Sequence, residues 1–149
     1  MKKLINEMSL RIPAISVNEA VCRTVVSAFC AEADPSIEEL GDLRLAVSEA
    51  VTNCIVHAYA DLPKGQRGNI YISLRLYSDG ELSVEISDKG CGIENLEAAM
   101  APSFTSGGAE RCGMGFLVME SFTDSLRVKS RLGKGTVVLM KKRLKGGKE

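Results

Sequence analysis

The chain has 149 residues, of which 45% are hydrophobic and 26% charged, with no Trp and a formal net charge of zero at pH 7. That length is enough for one domain with its own core. The balanced charge excludes a general nucleic-acid surface, which needs a basic face, and no stretch reaches the ~20 apolar residues of a membrane span. The short basic run Lys141-Lys142-Arg143-Leu144-Lys145 reads as a solvated terminus.

Five cysteines, at 22, 30, 54, 91 and 112, are odd in number and form no C-x-x-C pair. Met1-Lys2-Lys3 leads into a polar-interrupted segment and not into an apolar leader. The expectation is a reduced, cytoplasmic protein. The only histidine is His57, which disfavours zinc, and Cys91 and Cys112 read as small filler.

In chain order, Met8 to Ile12 alternates apolar and polar residues and predicts a strand. Asn18 is placed to cap a helix over about 19–31, with Val21, Val25, Ala28 and Phe29 at core spacing. Ser36, with Glu39 three residues on, predicts a capping box and a helix running to about Ala58. Ile70–Leu76 and Leu82–Ile86, joined by Ser78-Asp79-Gly80, predict a hairpin. A short helix over 94–100 follows, then a Gly/Ser-rich stretch over 102–112 expected to be mobile. Gly113 is expected to open another helix, and strands over 126–130 and 136–141 close the chain. The order predicts a single domain over 1–149, an α/β two-layer sandwich with a mixed sheet and helices on one face.

Three motifs carry chemistry. On the long helix, Glu49, Asn53 and His57 lie four apart and share one face. Opposite them run Leu43, Val47, Ala50, Cys54 and Ala58. Asn is a mediocre helix former, so Asn53 is either a tolerated solvated residue or a ligand whose amide oxygen suits Mg²⁺. Glu49, one turn earlier, can act as a general base toward a hydroxyl. His57 is expected to be structural.

Asp88 ends the second hairpin strand, and Gly90 and Gly92 permit a tight turn. D-x-G-x-G is a frequent turn sequence. In a ligand site, the Asp88 carboxylate would accept from the amino group of adenine and repel the O6 acceptor of guanine. The third motif is Arg111-Cys112-Gly113-Met114-Gly115-Phe116. Helix-opening N–H groups freed of side chains cradle anions, a guanidinium at Arg111 suits a terminal phosphate, and Thr105 and Ser106 add hydroxyl donors. A surface loop is the alternative. No G-x-x-x-x-G-K-[ST] is present, so the chain is not a P-loop enzyme.

Jointly, Glu49 to Asn53, Asp88 to Gly92 and Arg111 to Phe116 resemble the three nucleotide-binding boxes of the gyrase/histidine-kinase/MutL ATPases. The likeness runs from about Glu39 to Lys142 and implies the Bergerat-type ATP-binding fold. Val47-Ser48-Glu49-Ala50-Val51-Thr52-Asn53 and Gly113-Met114-Gly115-Phe116 further resemble the anti-sigma F factors of spore-forming bacteria, and the first strand and helix match too.

That resemblance implies a homodimeric serine-protein kinase that binds ATP or ADP with Mg²⁺ and inhibits a sporulation sigma factor. It also implies phosphorylation of a serine on an anti-anti-sigma protein. The implied roles are Mg²⁺ binding at Asn53, general base at Glu49, adenine reading at Asp88 and terminal-phosphate contact at Arg111. Gly90, Gly92, Thr105, Ser106, Gly113, Met114 and Gly115 would surround the nucleotide, and Glu19 and Arg23 would meet partner proteins. Two departures stand out: a slightly short stretch between Phe104 and Arg111, and Lys89 and Cys91 in the aspartate motif. Two other readings are a nucleotide-gated sigma-binding module with negligible catalysis and a general-stress anti-sigma kinase or histidine-kinase catalytic domain. No phosphoacceptor-bearing helical hairpin precedes the motifs, which disfavours the last.

Overall fold

A computed structural model describes residues 2–63, 66–101 and 108–146, with backbone only over 108–113. Strand β1 (Leu4–Pro13) leads to helices α1 (Val17–Phe29) and α2 (Ile37–Asn53), and then to strands β2 (Asn69–Tyr77) and β3 (Glu81–Asp88). Helices α3 (Leu96–Met100) and α4 (Gly108–Ser121) precede strands β4 (Ser125–Arg131) and β5 (Gly135–Arg143). The helices cover one face of a five-stranded sheet of order β1-β2-β3-β5-β4. Among the described residues no helix is long and apolar enough to cross a membrane.

The α/β sandwich expected from the sequence is present, with one refinement: the sheet is not mixed, because every neighbouring pair is antiparallel. The connections explain this. Two helix passes between β1 and β2 return the chain to the end it left, so β2 runs back along β1. After β3, α4 delivers β4 in the same direction as β3 but one place away. The β4–β5 hairpin then inserts β5 between them, antiparallel to both.

Strand alternation sets the core. Ile70, Ile72, Leu74 and Leu76 face the helices, across from Asp88, Ile86, Val84 and Leu82. Burial of each such apolar side chain contributes about 1.5–3 kcal/mol. The capping box of α2 forms as expected: Ser36 Oγ accepts from the Glu39 N–H at 3.1 Å, and Glu39 Oε1 accepts from the Ser36 N–H at 3.0 Å. The same carboxylate accepts from the N–H groups of Lys145 and Gly146 at 2.6 and 2.9 Å, tying the end of β5 to the start of α2.

Three sequence expectations shift. Helix α1 starts at Val17 and not after Asn18, whose side chain instead donates to the Pro13 carbonyl at 2.8 Å. Its buried face is Cys22, Val26 and Phe29, four and three residues apart, whereas Val21 and Ala28 are exposed. The long helix stays α-helical only to Asn53, and Cys54–Ala58 form a π-helical turn. Finally, α4 begins at Gly108 and not at Gly113. The stretch over 102–107, with Thr105 and Ser106, lies outside the described residues.

Candidate functional site

The apolar stripe Leu43, Val47, Ala50, Cys54 and Ala58 is buried as its spacing requires, which turns Glu49 and Asn53 toward α4. The π-helical turn that follows Asn53 is a widened geometry often found at functional sites. Arg67 Nη1 donates to the Ile55 carbonyl at 2.9 Å and the Cys91 N–H donates to the Ala58 carbonyl at 2.8 Å. The regular four-residue stacking from Glu49 therefore stops at Asn53. His57 nevertheless lines the same cavity as Asn53, brought there by the wider turn.

That cavity joins distant stretches of chain. Its walls include Asn53 and His57 from the end of α2, Asp88 and Gly92 from β3 and its loop, Phe116 from α4 and Thr136 from β5. Asn53 Nδ2 is buried and has no hydrogen-bond partner among the described residues, a costly state for an amide. Gly115 of α4 packs directly against this group: a methyl on its Cα would stand 3.4 Å from Asn53 Oδ1 and 3.3 Å from Glu49 Oε2. The cavity encloses about 40 Å³, far below the ~300–1,000 Å³ of a small-molecule pocket.

Asp88 occupies the last core-facing place of β3, where alternation would put an apolar side chain, and is 9% exposed. Its Oδ1 accepts from the Gly90 N–H at 2.9 Å and its Oδ2 accepts from the Cys54 thiol at 3.6 Å. Burial raises its pKa above the ordinary carboxylate value, against the opposing pull of Gly90, Cys54 and the Thr136 backbone. Burial, reinforced by the Asp88 charge, likewise pushes the Cys54 thiol well up. Gly90 lies so close under the Ala58 carbonyl that any Cβ would collide with it. Tyr59 braces the turn, donating to the Asn69 carbonyl at 2.6 Å and accepting from the Lys89 N–H at 2.8 Å.

Of the other residues singled out by sequence, Met114 is exposed and Gly115 buried. Gly113 lies inside α4 and not at its start, so among the described residues the N–H groups without intrahelical acceptors are those of 108–110. The side chain of Arg111 lies outside the described residues. Glu19 and Arg23 pair on α1 at 3.3 Å, away from the cavity. Sequence reasoning passed over Cys54, Cys91, Phe116 and Thr136 as cavity walls, and Tyr59 as a brace. Cys91 and Phe116 lie inside the second and third motifs, whereas Cys54 and Tyr59 carried no local signal.

Among the described residues no group of three or more His, Cys, Asp or Glu side chains is placed to hold an ion. Mg²⁺ suits such a site, because it is held by one or two protein oxygens plus substrate phosphates. The unpartnered amide of Asn53 beside Glu49 fits that pattern, and the two ends of an amide interchange by a half-turn.

The family described as histidine kinase-like ATPase domain matches residues 12–142. An anti-sigma F factor of Clostridium acetobutylicum is 47% identical over 93% of this chain and 94% of its own length. That of Caldanaerobacter subterraneus is 49% identical over 92% and 93%, and that of Priestia megaterium 41% over 96% of each. In fold, a Mycobacterium tuberculosis structure of RsbU and RsbW domains superposes with a TM-score of 0.67 at 18% identity, over 94% of this chain and 33% of that one. A blue-light activated histidine kinase of Erythrobacter litoralis gives 0.57 at 26% identity, over 74% and 32%. With near-complete coverage in both directions, this chain belongs to the anti-sigma F factor family and carries its histidine kinase-like ATPase domain.

Proposed function

We propose that the chain is an ATP-dependent serine-protein kinase that holds a sporulation sigma factor and phosphorylates a serine of its anti-anti-sigma partner. The observation that carries this reading is the convergence of Asn53 and Asp88 on one cavity, with Gly115 closing against Asn53. The anti-sigma F relatives supply the partner class. The protein acts in the cytoplasm as a homodimer, and the Glu19–Arg23 pair on α1, flanked by exposed Val17 and Val21, presents a partner surface.

The places of Asp88, Asn53 and Glu49 are consistent with the following roles. Asp88 accepts from the adenine amino group. Asn53 holds Mg²⁺, which would neutralise charge on the phosphates when bound. Arg111 contacts the terminal phosphate, and Thr105, Ser106, Gly113 and Met114 complete its surround, while Gly90 and Gly92 shape the base pocket. Glu49 takes the proton of an incoming serine hydroxyl as the serine oxygen bonds to phosphorus and the bond from phosphorus to the departing ADP breaks. The serine comes from the partner, so ATP turnover by the chain alone is slow. Gly115 rests against Glu49 and Asn53, so bound phosphates would act on the position of α4. ATP and ADP then position α4 differently, and a partner touching α4 or α1 reads that difference only through unequal affinity for the two states.

Incubation with labelled ATP and a candidate anti-anti-sigma protein, followed by phosphoamino-acid analysis, tests the reading. Label on serine is expected. Nucleotide-dependent sigma binding with no label would replace it with a gated binding module.

A further inference from the structure

We infer that Cys54 is a specificity-determining positioning residue, its thiol fixing Asp88 Oδ2 so that the carboxylate presents its remaining acceptor positions to the base. The inference rests on the nucleotide reading above. Of the donors that hold Asp88, Gly90 and Thr136 contribute backbone groups, which do not depend on a side chain. Cys54 contributes a side chain, and it is through side chains that sequence adjusts a carboxylate.

Cys54 is 4% exposed and sits between Ala50 and Ala58 on the apolar stripe. A cysteine serves both demands of the place: it packs as a small hydrophobe, and its S–H is a weak donor. Its S···O distance to Asp88 is 3.6 Å. Serine would donate more strongly, although its hydroxyl also tends to bond back to its own helix. Alanine would pack and donate nothing.

The arrangement has a titration signature. Asp88 is faced by Cys54, His57 and Tyr59 from the end of α2, by Cys91 from its own loop, and by Lys129, Arg131 and Lys134 across an outer groove of β4 and its turn. Lys89 follows it in the chain. All of these groups except the one at position 54 are common to a Cys54 series, so they cancel when the variants are compared. A donor stabilises the charged carboxylate, and its loss raises the pH at which Asp88 ionises.

The experiment follows the Asp88 carboxyl by ¹³C NMR titration in nucleotide-free wild type, Cys54→Ala and Cys54→Ser. The expected order of midpoints is Cys54→Ala highest, wild type between, Cys54→Ser lowest. In parallel, Cys54→Ala weakens ATP binding about 5-fold, the scale of one ordinary hydrogen bond. Cys54→Ser restores it, and in an Asp88→Asn background Cys54→Ala has no further effect. Equal midpoints in all three proteins, a reversed order, or an undiminished effect of Cys54→Ala in Asp88→Asn would each overturn the role of Cys54. If Asp88→Asn itself binds ATP as wild type does, the adenine-reading role of Asp88 fails, and the specificity role of Cys54 with it. The carboxyl midpoints would then show whether the two side chains are still coupled.

Discussion

Gly115 of α4 lies against Glu49 of α2 so closely that a methyl on its Cα would stand 3.3 Å from the Glu49 carboxylate, with both ends of the Asn53 amide at 3.4 Å. The helix that would lie over the phosphates thus rests on the two polar groups assigned to the metal and the base. Those neighbours are side-chain tips, able to give by tenths of an ångström. Gly115→Ala should therefore leave stability within about 1 kcal/mol of wild type, since alanine also gains helix propensity. ATP affinity should fall by about tenfold or more. Thermal melts beside nucleotide titrations check both; a variant that binds ATP normally would remove Gly115 from the site.

Asn53 Nδ2 is buried without a partner among the described residues, so the folded protein gains little from it. Asn53→Ala should hold its stability or gain slightly, by about 0.5 kcal/mol of helix propensity. Nucleotide affinity should lose its dependence on Mg²⁺. Titrations with and without Mg²⁺ decide this, and an unaltered Mg²⁺ effect would refute the ligand role.

Asp88 is an ionisable group in the core, and burial raises its pKa in the folded state. A raised carboxylate pKa makes a stability contribution that is present below the unfolded value, near ~3.9, and lost as pH rises through the folded value. Asp88→Asn escapes that loss. Its stability relative to wild type should rise from pH 4 to pH 7, while discrimination between ATP and GTP weakens. Denaturant unfolding at several pH values is the measurement, and a stability difference independent of pH would contradict the argument.

Gly92 and Gly133 have nearly the same left-handed backbone, φ +75 and +77, but different surroundings. A Cβ on Gly92 would collide with the Arg131 carbonyl, whereas nothing lies within 4 Å of one on Gly133. Gly133→Ala should cost about 1–2 kcal/mol, the strain of the conformation alone. Gly92→Ala should cost about 3 kcal/mol or more, because backbone cannot yield as a side-chain tip does. Equal costs would mean that the loop after β3 relaxes freely.

Much of this protein is legible along the chain because the relevant forces are local. Alternation set β2 and β3 and even put Asp88 on the core face, in step with Leu82, Val84 and Ile86. Ser36 and Glu39 announced their capping box, and the spacing of Leu43, Val47, Ala50 and Cys54 fixed the buried side of α2. From that side the direction of Glu49 and Asn53 followed. Strand direction, the true start of α4 and the π-helical turn after Asn53 were not readable. Each depends on partners far away in sequence: β5 entering beside β3, α2 receiving α4, and Cys91 and Arg67 holding the carbonyls of Ala58 and Ile55.

The amino-acid order by itself therefore determined which side chains make up the three polar motifs and which elements carry most of them. Only the tertiary structure decided that Asn53 and Asp88 share one cavity, that Gly115 closes on it, and that Cys54, a residue with no motif of its own, grips the aspartate. The reason is range: propensity, capping and periodicity act over a few residues, whereas a hydrogen bond from position 54 to position 88 exists only after the helix layer has docked on the sheet.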